Sequence, residues 1–303
     1  MRHFADRSSN KSLPAKKAIS AGFTLVELLA VVVIISMLVG LMLPALIGAR
    51  ARARIAQCCH NQGELGKAII QYEVAKNKLP GYANHISTGT SGSATVGYTV
   101  SWVPVLFPYL GRMDLWEGTT GTDSWRRVGT NGNTPATPTS MPLLVCPDDE
   151  LPNNGTLSYV VSVGSATDAT GGSATQNSVF RNLSMFPQKA ITLSSVKSPS
   201  RRPMLSERTY MLDTTAETSG RCWDARGQQN YAMVERCGFR WPDVAPVTDA
   251  DKKSVSEPFI ETKVSGDHPI HAGIVNITFC DGHVESVSID ATCDAFDYAP
   301  ITQ

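Results

Sequence analysis

Residues 23–47 are apolar with a single acidic interruption, and "LLAVVVIISMLVGLML" (28–43) carries no charge at all. A bilayer crossing needs roughly 20 such residues. Beyond it the apolar positions become periodic. Ile55, Cys58 or Cys59, Gln62, Leu65, Ile69 and Tyr72 recur at three- and four-residue steps, the stripe of an amphipathic helix. Together the two patterns predict one helix from about Phe23 to Lys78, kinked around residues 40–44 and closed by Pro80. At a rise of about 1.5 Å per residue it would run on the order of 80 Å. Its first half suits a membrane, and its second half suits packing one face on its own domain.

Downstream the pattern shortens. Residues 81–101, rich in Gly, Ser and Thr, read as a loop, and so do residues 118–140. Between them, Trp102, Leu106, Tyr109 or Leu110, and Met113 share a short helical face of core aromatics, which Pro104 and Pro108 oppose. "MPLLVCPDDE" reads as a short strand ending in a turn, and "GTLSYVVSVGSA" as a strand. "AITLSSVKSPSRRPMLSERTY" reads as a strand or helix, a turn at Pro199 and another strand, and residues 213–255 read as an elaborated loop. The sharpest signal is "GIVNITFCDGHVESVSID". Val275, Ile277 and Phe279 alternate, Asp281-Gly282 marks a turn, and Val284, Val287 and Ile289 shift phase. A three-residue loop with a glycine bulge reconciles the two faces. The fold class is therefore α+β: a long N-terminal helix, then an antiparallel β-sheet domain with long loops. The domains expected are a leader (1–22), the helix (23–80, transmembrane over about 23–47) and an exported globular domain (81–303).

Charge changes this picture only locally. Lys plus Arg and Asp plus Glu both number 27, so no global field favours nucleic acid, and none is expected as a partner. Lys16 and Lys17 precede the apolar run, which places the N-terminus in the cytoplasm and the domain outside. Arg50, Arg52 and Arg54 follow it and read as a solvated or lipid-facing collar. A cleaved signal peptide, cut around residues 48–53, and a plain anchor are the competing readings. Seven cysteines without a CxxC pair argue against a zinc ribbon. Disulfides Cys222–Cys237 and Cys280–Cys293 are expected from closeness in sequence, with buried free thiols as the other reading.

Glu27 fits neither competing reading, because a carboxylate in the apolar zone is unfavourable by a few kcal/mol and no Lys or Arg in the segment offsets it. "AGFTLVELLAVVVIISMLVGLMLPA" resembles the N-terminus of type IV prepilins and type II secretion pseudopilins. The resemblance implies cleavage after Gly22 by a prepilin peptidase and N-methylation of Phe23. It also implies pairing of Glu27 with the terminal ammonium of a neighbouring subunit, and a helix-breaking role for Pro44. Such a pairing would offset desolvation and set register between subunits.

A second resemblance lies near the C-terminus. His271, nine intervening residues, then Asp281-Gly282-His283 is similar to the His-x9-Asp-Gly signature of an uncharacterised family of bacterial prepilin-like proteins. "SWVPVLFPYLGRMDLW", "CPDD" and "LSYVVSVG" are similar to other blocks of that family, whereas residues 205–260 depart from it and read as an insertion or diverged loop. His268, His271, Asp281 and His283 are competent metal ligands, but a turn-stabilising role for His271, Asp281 and His283 is preferred. Pseudopilins also imply a calcium loop. Asp290, Asp294 and Asp297 supply carboxylates without an EF-hand pattern, so no cofactor is expected and calcium is the reserve candidate. No GxSxG, HExxH or Walker loop marks an enzyme, and none is expected.

The function expected is that of a pilin-like subunit in a pilus-like or pseudopilus filament. Its partners would be the peptidase, other subunits, an inner-membrane assembly platform and lipid. The alternative is a membrane-tethered binding module for glycan or metal that uses the leader only for targeting.

Overall fold

The computed structural model describes residues 24–91, 94–117, 141–149, 157–163, 179–183, 191–207, 209–210, 226–227, 238–240, 268–269, 271 and 273–288. Helix α1 (Leu25–Lys76) is followed by strands β1 (Ala83–Ser91) and β2 (Ala94–Ser101), then a 3-10 helix (Pro104–Leu110) and a short α2 (Met113–Glu117). The next strands are β3 (Tyr159–Val163), β4 (Asn182–Leu183), β5 (Pro203–Glu207), β6 (Thr209–Tyr210), β7 (Arg226–Gly227), β8 (Gly238–Arg240) and β9 (His268–Pro269). The hairpin β10 (Ile274–Phe279) and β11 (Val284–Ser288) completes the set. The class is α+β, as the patterning predicts.

The chain divides into two compact units, Met1–Ala51 and Arg52–Gln303. In the first, every described residue through Arg50 is exposed, and this stretch of α1 is long and apolar enough to cross a membrane. Such a helix near the N-terminus is consistent with a single-pass membrane protein. Its first turn closes with a capping box. Glu27 N–H donates to Thr24 Oγ1 at 3.3 Å, and Glu27 Oε2 accepts from Thr24 N–H at 2.9 Å and Thr24 Oγ1 at 2.8 Å. Pro44 lies inside α1. Gly22 and Phe23 lie outside the described residues.

In the second unit, the stripe on α1 is buried from Cys58 to Tyr72, through Leu65 and Ile69. Ile55 at its margin is only half-buried. These side chains join a core with Trp102, Leu106, Phe107, Leu144, Tyr159, Phe180 and Leu205. The main sheet has the order β11-β10-β5-β3-β8, and a second sheet has the order β4-β1-β2-β7. Pairing is antiparallel except at β1–β4 and β3–β8.

Three expectations need correction. Ala83–Ser91 and Ala94–Ser101 pair as antiparallel strands rather than forming a loop, because Thr and Val recur through this Gly- and Ser-rich stretch and supply β-branched positions. The apolar part of "MPLLVCPDDE" is a 3-10 turn (Pro142–Leu144) rather than a strand, with Pro142 fixing its first φ. The residues after Trp102 are likewise a 3-10 helix (Pro104–Leu110) rather than an α-helix, with Pro104 in its first turn and Pro108 inside, where it would break an α-helical ladder, and Met113, in α2, stays 44% exposed.

The C-terminal hairpin forms in the expected register. Thr278 pairs with Val284, Gly282 N–H donates to Phe279 O, and Gly282 takes a positive φ of 90°. That is a turn closed by a glycine bulge over the three residues 280–282.

Candidate functional site

The alternation along β10 predicts one buried face, yet all residues from Val275 to Phe279 are buried. The second face, with Asn276 and Thr278, is covered by α1. A Cβ on Gly66 would sit 2.9 Å from Thr278 Cγ2, so only glycine allows this approach. Gln62 spans the seam: its Nε2 donates to Asn276 O at 3.0 Å, and its Oε1 accepts from Thr278 Oγ1 at 2.9 Å. Cys59 and Ser286 both donate to Asn276 Oδ1. Burial pushes the Cys59 thiol up, so it stays protonated and donates.

Asn276 then hands the network to Glu207 at the end of β5. Its N–H donates to Glu207 Oε2 at 3.1 Å and its Nδ2 to Oε1 at 2.7 Å. Glu207 is 2% exposed. A buried carboxylate needs such donors and a counter-charge. His271 supplies the latter: Nε2 lies 3.2 Å from Glu207 Oε1, and Nδ1 lies 2.8 Å from Asp148 Oδ2. Asp148 also pairs with Arg54. Burial pulls the His271 imidazolium down, but Glu207 and Asp148 on its two nitrogens outweigh this and raise it above its usual value.

The same cluster contains a disulfide between Cys58 on α1 and Cys146 in "CPDD", 88 residues apart in sequence. Cys146 Sγ lies 3.4 Å from His271 Nε2. Donor atoms of Cys58, Cys146, Glu207 and His271 all fall within 4.8 Å of one another, and all four residues are buried. Asn61 closes the far side, donating to Val145 O and to Tyr159 OH at 3.3 Å each. Ser158 Oγ accepts from Cys146 N–H at 2.9 Å and donates to Asp149 at 2.8 Å, which fixes the CPDD turn.

The residues singled out in the sequence are thus separated. Asp281 and His283 sit together at the exposed hairpin turn, 2.5 Å apart, with the His283 ring stacked on Phe279 at 4.4 Å. His271 lies at the opposite end of β10 with other partners. Arg54 is more than a collar residue, because its guanidinium holds Asp148. Cys280 is buried, and its expected partner Cys293 lies outside the described residues. Among the described residues, Cys58 and Cys146 form a bonded pair that is distant in sequence and brought together by the packing of α1 on the domain. Cys222, Cys237, Cys293 and the carboxylates Asp290, Asp294 and Asp297 lie outside the described residues, as does the side chain of His268. Glu207 falls in the stretch read as an insertion, yet β5 pairs with both β10 and β3.

Residues 48–291 match a described protein family. The chain belongs to that family, whose description is "Protein of unknown function (DUF1559)". The match to DUF1559 includes every residue of the Glu207–His271 network and begins after the apolar stretch with Glu27. No curated protein and no solved structure matches the chain.

Proposed function

We propose that this DUF1559 protein is a pilin-like structural subunit. In this reading it is inserted in the cytoplasmic membrane with its N-terminus inside, cleaved after Gly22 and assembled through α1 into a pilus-like or pseudopilus filament. The observation that carries the proposal is the uncovered apolar stretch of α1, which follows the prepilin-like "AGFTLVELL". Side chains from Leu25 to Ile47 are largely exposed, so lipid or like helices must cover them. The resemblance of His271 and Asp281-Gly282 to the His-x9-Asp-Gly pattern of prepilin-like proteins supports the same reading. A prepilin peptidase and an inner-membrane assembly platform follow as partners, and the role is structural rather than catalytic.

N-terminal sequencing and intact mass of protein taken from its own membranes test the proposal. A start at N-methylated Phe23 is expected. A start near residue 50 overturns it in favour of an ordinary cleaved signal peptide and a soluble product, and an intact Met1 overturns it in favour of the tethered binding module.

The capping box adds a second role for Glu27 and a way to separate the two roles. Glu27→Gln keeps the box, since Gln serves at that position, but removes the charge. Glu27→Ala removes both. If Glu27 pairs with a neighbour's ammonium, both variants lose filaments. If it only caps α1, Glu27→Gln assembles like the wild type.

A further inference from the structure

The Cys58–Cys146 bond occupies a pocket with two more metal-competent side chains, and their arrangement resembles a ligand set more than a plain disulfide environment. We propose that, when this disulfide is reduced, Cys58, Cys146, His271 and Glu207 form a four-coordinate site for a zinc-class divalent cation. Disulfide and metal are then alternative fastenings at the same place, tying α1 to the CPDD turn and to the main sheet.

The donor set is the first reason. Two thiolates, an imidazole and a carboxylate are ligand types that zinc takes in tetrahedral sites. The spacing is the second. Bond lengths of about 2.0–2.3 Å imply tetrahedral ligand–ligand edges of roughly 3.3–3.8 Å. His271 Nε2 is already 3.2 Å from Glu207 Oε1 and 3.4 Å from Cys146 Sγ. The widest donor separation, within 4.8 Å, needs only about 1 Å of contraction to reach that edge.

The outer groups are the third reason. His271 Nδ1 donates to Asp148, so that loss of the Nε2 proton to the incoming cation leaves Nε2 as the ligating atom, and Arg54 holds Asp148 in turn. Histidine ligands of metals ordinarily have such a carboxylate behind them. Glu207 is likewise oriented by Asn276 through its N–H and its Nδ2. Burial of all four residues excludes competing water.

The exchange balances. A dithiol reductant gives two electrons to the Cys58–Cys146 bond and becomes a disulfide, and two thiols form. Binding of the dication then releases the two thiol protons and the Nε2 proton of the His271 imidazolium to solvent. In the reverse direction a disulfide-type oxidant takes two electrons from the metal-bound thiolates, the sulfur–sulfur bond re-forms, the cation leaves and His271 Nε2 takes its proton back from solvent. The inference does not depend on filament assembly.

Cobalt(II) is the probe, added to the full chain in detergent micelles with and without prior reduction by a phosphine, under argon. The reduced protein is expected to take up one equivalent with thiolate-to-cobalt charge-transfer bands and tetrahedral d–d bands, and zinc should displace it. The oxidised protein should show neither band. Cys58→Ser and Cys146→Ser should each remove the tight component. Asp148→Asn, which leaves every ligand in place, should weaken it by roughly 10–100-fold.

Equal cobalt binding by the oxidised chain overturns the proposal, as does undiminished thiolate binding in the double serine variant. Circular dichroism covers the case in which reduction loosens the fold. Zinc is expected to restore the helix and strand signal and raise the melting temperature of the reduced chain. A reduced chain that neither zinc nor cobalt refolds overturns the proposal as well.

Discussion

The two ends of strand β10 carry two histidines in opposite circumstances. At the turn, His283 is 42% exposed, pairs with Asp281 two residues away and stacks on Phe279. At the other end, His271 is 1% exposed, and its partners Asp148 and Glu207 come from distant parts of the chain. Both are histidine–carboxylate pairs at hydrogen-bond distance. Water screens the first, so it adds little to stability, whereas the second is shielded and each member depends on the others. Distance alone would rank the two ends the wrong way round, because the shorter contact is the weaker.

The largest effect that should sharpen this contrast comes from Glu207→Ala. It leaves His271, Asn276 and the surrounding donors without their buried acceptor, and about 3–5 kcal/mol of unfolding free energy should be lost in denaturant titration. A loss below about 1 kcal/mol would mean that water reaches the network. Next in size is Cys146→Ala, which opens a crosslink spanning 88 residues. Loss of a native disulfide lowers stability by about 2–5 kcal/mol, and chemical reduction of the wild type without metal should match it. Wild-type stability in the alanine variant would show that packing of α1 alone holds the seam.

Smaller again is a pH effect at the buried end. In the oxidised protein the folded state holds the His271 proton more tightly than the unfolded chain, whose imidazole titrates near pH ~6.5. The added stability is therefore complete below about pH 6.5 and is lost as pH rises through the higher folded value. His271→Gln should flatten that dependence in melting temperature. A slope in His271→Gln as steep as that of the wild type would assign the titration elsewhere.

Changes at the turn should be milder. Gly282→Ala forces a side chain into a positive φ and brings its Cβ within 3.0 Å of Ile70 Cδ1, so about 1–2 kcal/mol should be lost. His283→Ala removes a partly exposed pair and should change stability by under about 1 kcal/mol. A larger loss than that of Glu207→Ala would reverse the comparison.

Patterns with a short period were legible without coordinates. The 3.6-residue stripe located the buried face of α1, and the two-residue alternation with Asp281-Gly282 located the last hairpin and its loop length. Such signals are local, because each residue's side follows from its neighbours through backbone geometry. The capping box at Thr24 and Glu27 was legible for the same reason, as a Thr-x-x-Glu ahead of an apolar run.

The network around His271 was not legible in this way. Glu207 lay in a stretch without family pattern, and Cys58, Cys146 and Asp148 belonged to segments with no sequence relation to it. A hint was present in Gln62, Gly63 and Gly66, polar and small residues along a helical stripe. They imply a helix seated closely on something polar, without saying on what.

Local chemistry therefore determined the α+β class, the apolar stretch suited to a membrane, the amphipathic half of α1 and the C-terminal turn. Tertiary packing alone decided which cysteines bond, which histidine is buried and which carboxylates face it. Those pairings depend on where α1 meets the sheet, and a long-range contact of that kind is set by the fit of whole surfaces, to which no single segment's pattern contributes enough to be read.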